Sequence, residues 1–71
     1  MSRVDVVPIR DESIRLGQFL KLANLVDSGS DAKALLADRL VTVNGSVETR
    51  RGRQLSKGDV VRLGDAEARV G

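Results

Sequence analysis

The dipeptide Asn44-Gly45, set between Val41-Thr42-Val43 and Val47, constrains this fold more than any other feature of the chain. Both central residues of a type I′ turn need positive φ, which Asn and Gly tolerate, so the alternating runs on either side are predicted to close as a two-residue β-hairpin. Just ahead of it, Ser28 has the chemistry of an N-cap, and Asp31 stands where a capping box places its acid, so a helix should begin near Gly29. Ala32, Leu35 and Leu36 recur at i, i+3 and i+4 and give that helix one apolar face to bury. After Leu40 the helical spacing gives way to alternation, and beyond the hairpin comes Arg50-Arg51-Gly52-Arg53, where Gly52 lets the backbone turn or bulge.

The chain before this unit reads as a strand, a polar turn and a short second strand over residues 4–15. Val4, Val6 and Val7 lead to Pro8 and Ile9, Arg10-Asp11-Glu12 forms the turn, and Ser13-Ile14-Arg15-Leu16 alternates. Pro8 has no amide donor, which suits a sheet edge or a strand end. Leu16, Phe19, Leu20 and Ala23 then fall at helical spacing, predicting a first helix of about two turns with Gly17 as its N-cap. Only Asn24-Leu25-Val26-Asp27 separates the two helices, so they should pack as a pair, with Leu25 and Val26 in the corner. After the hairpin, Ser56-Lys57-Gly58-Asp59 turns into a strand at Val60-Val61-Arg62-Leu63, and Ala66 to Val70 alternates as a last edge strand. The 71 residues form a single domain of α+β class: two short packed helices against a small, mostly antiparallel sheet. A chain of this length buries only about 60% of the surface it exposes when unfolded, so the core is just sufficient.

Composition removes several classes of function. There is no cysteine and no histidine, hence no disulfide, no thiolate metal site and none of the usual acid-base or zinc residues. Asp11-Glu12 is the only adjacent acid pair and sits in the turn. No phosphate-loop, nucleophile-elbow or metal-ligand spacing occurs, and a non-catalytic protein without cofactors is expected. No apolar run approaches the ~20 residues of a membrane span. The start Met1-Ser2-Arg3 is unlike a signal peptide, so the expected location is the cytoplasm.

The net charge of +2 is unevenly spread. Residues 1–38 carry five basic and six acidic groups, residues 39–62 six and two, and residues 63–71 one and two. The basic excess therefore lies in the hairpin half, as in a polyanion binder with a defined face. Guanidinium groups bind phosphate oxygens bidentately and stay charged, so Arg50, Arg51 and Arg53 on one rim would make a backbone clamp. Phe19 is the only aromatic residue, and its helical spacing puts it in the core. Base stacking therefore has nothing to work with, and a polyanion would be held through its phosphates and its shape.

Ser28, the acid at Asp31, Ala32, the base at Lys33, Leu35-Leu36, Val41-x-Val43-Asn44-Gly45 and Gly58-Asp59-Val60-Val61 follow one another at a spacing that resembles the RNA-binding domain of the ribosomal protein S-four type. The resemblance spans about residues 16–63, and Arg50-Arg51-Gly52-Arg53 is similar to the short stand-alone bacterial members, including the YbcJ-like proteins. It implies the alpha-L RNA-binding motif and a structured RNA partner, ribosomal or transfer RNA, possibly on the ribosome. The family's grip maps onto Arg15, Gln18, Lys21 and Lys33 on the helices and Asn44, Arg50, Arg51 and Arg53 at the hairpin, with Lys57 adding to the basic half. Ser28 and Asn44 also have structural roles as cap and turn, which are favoured. Two positions depart from the family: Gly29 stands where an arginine is frequent, and Arg39 where a glycine usually closes the second helix in a left-handed conformation, so Arg39 is either strained or ends the helix differently. The competing expectation is a protein-interaction or ribosome-assembly accessory module using the same basic patch. A monomer is the default in either case.

Overall fold

The computed structural model describes residues 3–71, with side chains from Asp5 onward. Met1 and Ser2, and with them the reading of how the chain starts, lie outside the described residues. The elements run β1 (Arg3–Val7), β2 (Ser13–Arg15), α1 (Leu16–Leu22), α2 (Gly29–Ala37), β3 (Val41–Val43), β4 (Ser46–Val47), β5 (Gln54–Ser56), β6 (Val60–Leu63) and β7 (Ala66–Val70). Five strands form one sheet in the order β1-β7-β6-β3-β4, and β2 pairs with β5 in a separate antiparallel ribbon. The expected α+β class is the one observed: two helices and a mostly antiparallel sheet in one compact unit.

Alternation decides which side of each strand faces the core. Val41 and Val43 of β3, Val61 of β6 and Ala68 and Val70 of β7 point inward, where they join Leu16, Phe19 and Leu20 of α1, Ala32 and Leu36 of α2, and Leu55 of β5 in one buried cluster. Thr42, Arg62 and Glu67 lie on the other face. Asn44 and Gly45 have φ of 52° and 88°, and Val43 faces Ser46 across the two-residue loop, so the type I′ hairpin is as the dipeptide predicts.

Three readings of the sequence need correction. β7 is not an edge strand. The apolar N-terminal run covers its free side as a parallel strand, and the ladder continues as Gly71 N–H donates to the Val7 carbonyl at 2.8 Å. β1 and β2 exist as expected, β1 paired with β7 and β2 with β5. Leu35 is only partly buried: it packs against the core, while Ala32 and Leu36 are the residues of α2 buried within it. Gly17 is not a cap either: α1 begins at Leu16, its N-cap residue is Arg15, and no side chain accepts there.

Both helices end the same way. The N–H groups of Asn24 and Leu25 reach back to the carbonyls of Lys21 and Leu20 at 3.1 and 2.9 Å, and those of Arg39 and Leu40 to Leu36 and Leu35, both at 3.1 Å. These are Schellman closures, which require a left-handed residue; Asn24 has φ 59° and Arg39 has φ 60°. Asparagine adopts this conformation readily, whereas an arginine Cβ crowds the following carbonyl. Arg39 is therefore the strained alternative. Arg39→Gly should raise stability by about 0.5–1 kcal/mol, the relief of left-handed strain less the added entropy of an unfolded glycine. Urea denaturation checks this: the midpoint should rise at constant slope, and an unchanged or lower midpoint would show that the conformation carries no strain.

Candidate nucleic-acid interface

The first turn of any helix leaves N–H groups without intrahelical partners. In α1 the first two of these are met by backbone. The Leu16 N–H donates to the Arg53 carbonyl at 2.8 Å, and the Gly17 N–H donates to the Arg51 carbonyl at 3.0 Å. Beside them, β2 and β5 pair Arg15 with Gln54 and Ile14 with Leu55. The arginine segment is thus fixed along the start of α1, close enough that a Cβ added at Gly17 would lie 3.6 Å from the Arg51 Cβ.

On the other side, Ser28 caps α2 by accepting from the Asp31 N–H at 3.3 Å, while the return bond of a full capping box is missing among the described residues. The two helix starts and the arginine segment enclose a cleft of about 270 Å³ lined by Arg15, Gly17, Gln18, Lys21, Gly29, Ala32, Arg51 and Gly52. Three cations, one amide side chain and three glycines face a single concave surface. Among the described residues, Arg15, Lys21 and Arg51 have no carboxylate within ion-pair distance. A larger concavity of about 670 Å³ lies over the outer face of the sheet. It is the poorer anion site, because its one cation, Arg62, donates to the Gly64 carbonyl at 3.0 Å and lies 3.8 Å from Glu67.

Of the nine residues expected to meet RNA, the structure brings Arg15, Gln18, Lys21 and Arg51 together. Lys33 is exposed on α2 and Lys57 in the turn before β6, both outside the cleft lining. Asn44 is a brace: its amide donates to Asp59 at 3.1 Å, its carbonyl oxygen accepts from the Val60 N–H at 3.0 Å, and its own N–H donates to the Val60 carbonyl at 2.8 Å. Asp59 in turn accepts from the Ser56 N–H at 2.8 Å, and this bond, with the Asn44 contact, lowers its pKa.

The uniform three-arginine rim is also corrected. Glu48, at the end of the hairpin, is almost fully buried and grips two of the three. Arg50 lies on it through Nε at 3.2 Å and an η-nitrogen at 3.4 Å, and Arg53 through an η-nitrogen at 3.1 Å. The N–H groups of Thr49 and Arg50 also donate to Glu48, at 3.1 and 3.2 Å. A charge count treats this glutamate as a diffuse offset to the basic half. The signal available in the sequence was an acid two residues before Arg50 and five before Arg53, at the exit of a tight hairpin whose geometry was already fixed.

Comparison with known proteins bears on the family of the chain. The family model described as "S4 domain" matches residues 7–71. A protein of Bacillus subtilis (strain 168) named "Probable ribosome maturation protein RlbA" is 49% identical over 57 residues, which covers 80% of each chain.

The Arg50 side chain, aided by its backbone N–H and by Arg53 and opposed by burial, holds the Glu48 carboxyl down at about 2, against an ordinary value of 4.5. Because the folded value is the lower one, this stabilisation is present above about pH 4.5 and is lost as the pH falls toward 2. Thermal melts between those limits should show the wild-type transition falling more steeply with acid than that of Glu48→Gln, in which the group cannot titrate. Equal slopes would mean that the glutamate is unperturbed.

Proposed function

The chain belongs to the S4-domain family, and from that premise we propose that it is a non-catalytic RNA-binding protein that holds the phosphate backbone of a structured RNA in the cleft between the starts of its two helices. Arg15, Lys21 and Arg51 supply the charge, and Gln18 supplies a neutral donor and acceptor for a phosphate or a 2′-hydroxyl. The N-terminus of α2 at Gly29 adds the partial positive charge of a helix start on the same side. The observation that carries the reading is the convergence of three unpaired cations on one concave surface. The glycines in the wall leave room for a sugar-phosphate chain to approach the backbone.

Phe19 is completely buried, so no aromatic ring is available for stacking and recognition rests on phosphate positions and RNA shape. The RNA class best supported is ribosomal, because the similar Bacillus subtilis protein carries a ribosome-maturation name. Transfer RNA is the alternative substrate of the same site. The place of action that fits this substrate is the cytoplasm; no helix among the described residues is long and apolar enough to cross a membrane. A ribosome-assembly role would use the same cleft to hold ribosomal RNA during maturation.

Three phosphate contacts should give log affinity against log salt a slope of about −2 to −3, at roughly 0.7–0.9 per contact. Arg15→Ala, Lys21→Ala and Arg51→Ala should each lower the slope by about 0.7–0.9, and the triple variant should lose most of the salt-sensitive affinity. Fluorescence anisotropy with a labelled ribosomal RNA fragment measures both quantities. A triple variant that binds like the wild type at every salt concentration would place the RNA elsewhere.

A further inference from the structure

Glu48 is the one buried carboxylate of the described chain, and it lies beside, not inside, the cleft. Resting on the RNA-binding reading above, we propose that Glu48 is a resident substitute for phosphate: it holds Arg50 until RNA arrives, then releases Arg50 to the phosphodiester next to the one in the cleft, while Arg53 stays behind as its counter-ion.

The two arginines are held unequally. The Arg50 side chain is 76% exposed and that of Arg53 33%, while the Glu48 side chain is 9% exposed. Arg50 meets the carboxylate edge-on through Nε and an η-nitrogen, the same fork that a guanidinium offers to two phosphate oxygens. Exposure lets solvent or RNA reach that fork. Its departure leaves no buried acceptor empty, because Oε2 keeps the N–H groups of Thr49 and Arg50, and Oε1 keeps the Arg53 guanidinium at 3.1 Å. Arg53 makes a single bond to the same carboxylate, but its side chain is only a third exposed and so is far less open to an incoming phosphate. The exchangeable arginine is therefore Arg50, and Arg53 is a fixed counter-ion.

Placement favours the exchange. Arg50 precedes Arg51, whose carbonyl is fixed to α1 and whose residue lines the cleft, so the Arg50 backbone stands about 3.8 Å along the chain from the cleft wall, within the reach of a guanidinium side chain released from Glu48. With Arg50 on Glu48, the free protein presents fewer open cations to single phosphates, whereas a chain anchored in the cleft offers its next phosphate to Arg50 at a high effective concentration. Glu48 thus acts as a specificity-determining residue. It weakens binding to any polyanion that reaches Arg50 alone, and weakens binding less to one that spans both positions.

The test is a titration of isotope-labelled wild-type protein with a stable RNA hairpin, following the arginine Nε–H resonances. Arg50 and Arg51 should move while Arg53 stays fixed. Movement of Arg51 with Arg50 stationary, or of Arg50 and Arg53 together, would overturn the exchange and leave the cleft reading standing. If neither Arg15 nor Arg51 responds, the RNA-binding reading fails first. In parallel, Glu48→Gln, verified as folded by its melt, should bind the same hairpin roughly two- to fivefold more tightly, the scale of removing an exposed ion pair. The gain should vanish when Arg50→Ala is added, as a double-mutant cycle requires. Equal or weaker binding by folded Glu48→Gln would contradict the proposal.

Discussion

Two backbone hydrogen bonds, from Leu16 N–H to the Arg53 carbonyl and from Gly17 N–H to the Arg51 carbonyl, are what the candidate site depends on. A helix of seven residues is too short to stand alone, and α1 has no side-chain cap. By satisfying its first donors with the segment that follows the hairpin, the chain solves a local problem with a distant partner. The solution fixes where the arginines go. β2 running directly into α1, and β5 pairing back onto β2, make the arrangement a rigid corner rather than a loop lying on a helix.

Charge is distributed within that corner by burial. Glu48 at the hairpin exit is compensated from both sides by Arg50 and Arg53, and its remaining lone pairs meet two backbone N–H groups. Among the described residues no buried side-chain polar atom lacks a partner. Arg51, between the two engaged arginines, turns toward α1 and joins Arg15 and Lys21 in the cleft. Three similar residues within four positions thus take two different roles: one is an open cation, and two belong to an internal ionic cluster.

What the sequence made legible was local. Asn44-Gly45 needs positive φ and adopts it, Ser28 caps the helix it precedes, and Leu16, Phe19 and Leu20 are buried as their spacing requires. What it left hidden was long-range. Alternation told which face of β7 is buried but not that β1 would lie parallel against it, since a period of two carries no information about neighbours. The sequence points to Gly17 as the cap of α1 because the true acceptors lie more than thirty residues away in the chain. Arg15, Gln18 and Lys21 could be nominated from the helix face, yet their meeting with Arg51 depends on that same distant contact. Glu48 does not stand out in the sequence because burial, not charge count, gives it its weight.

The central claim is that RNA lies between the helix starts and not across the open face of the sheet. Glycine amides divide the two surfaces: Gly17, Gly29 and Gly52 line the cleft, while Gly45 and Gly64 line the concavity on the outer sheet face. In amide nitrogen–proton correlation spectra recorded as a ribosomal RNA fragment is added, the account requires Gly17, Gly29 and Gly52 to shift together while Gly45 and Gly64 hold still. Shifts at Gly45 and Gly64 with the cleft glycines unmoved would contradict it.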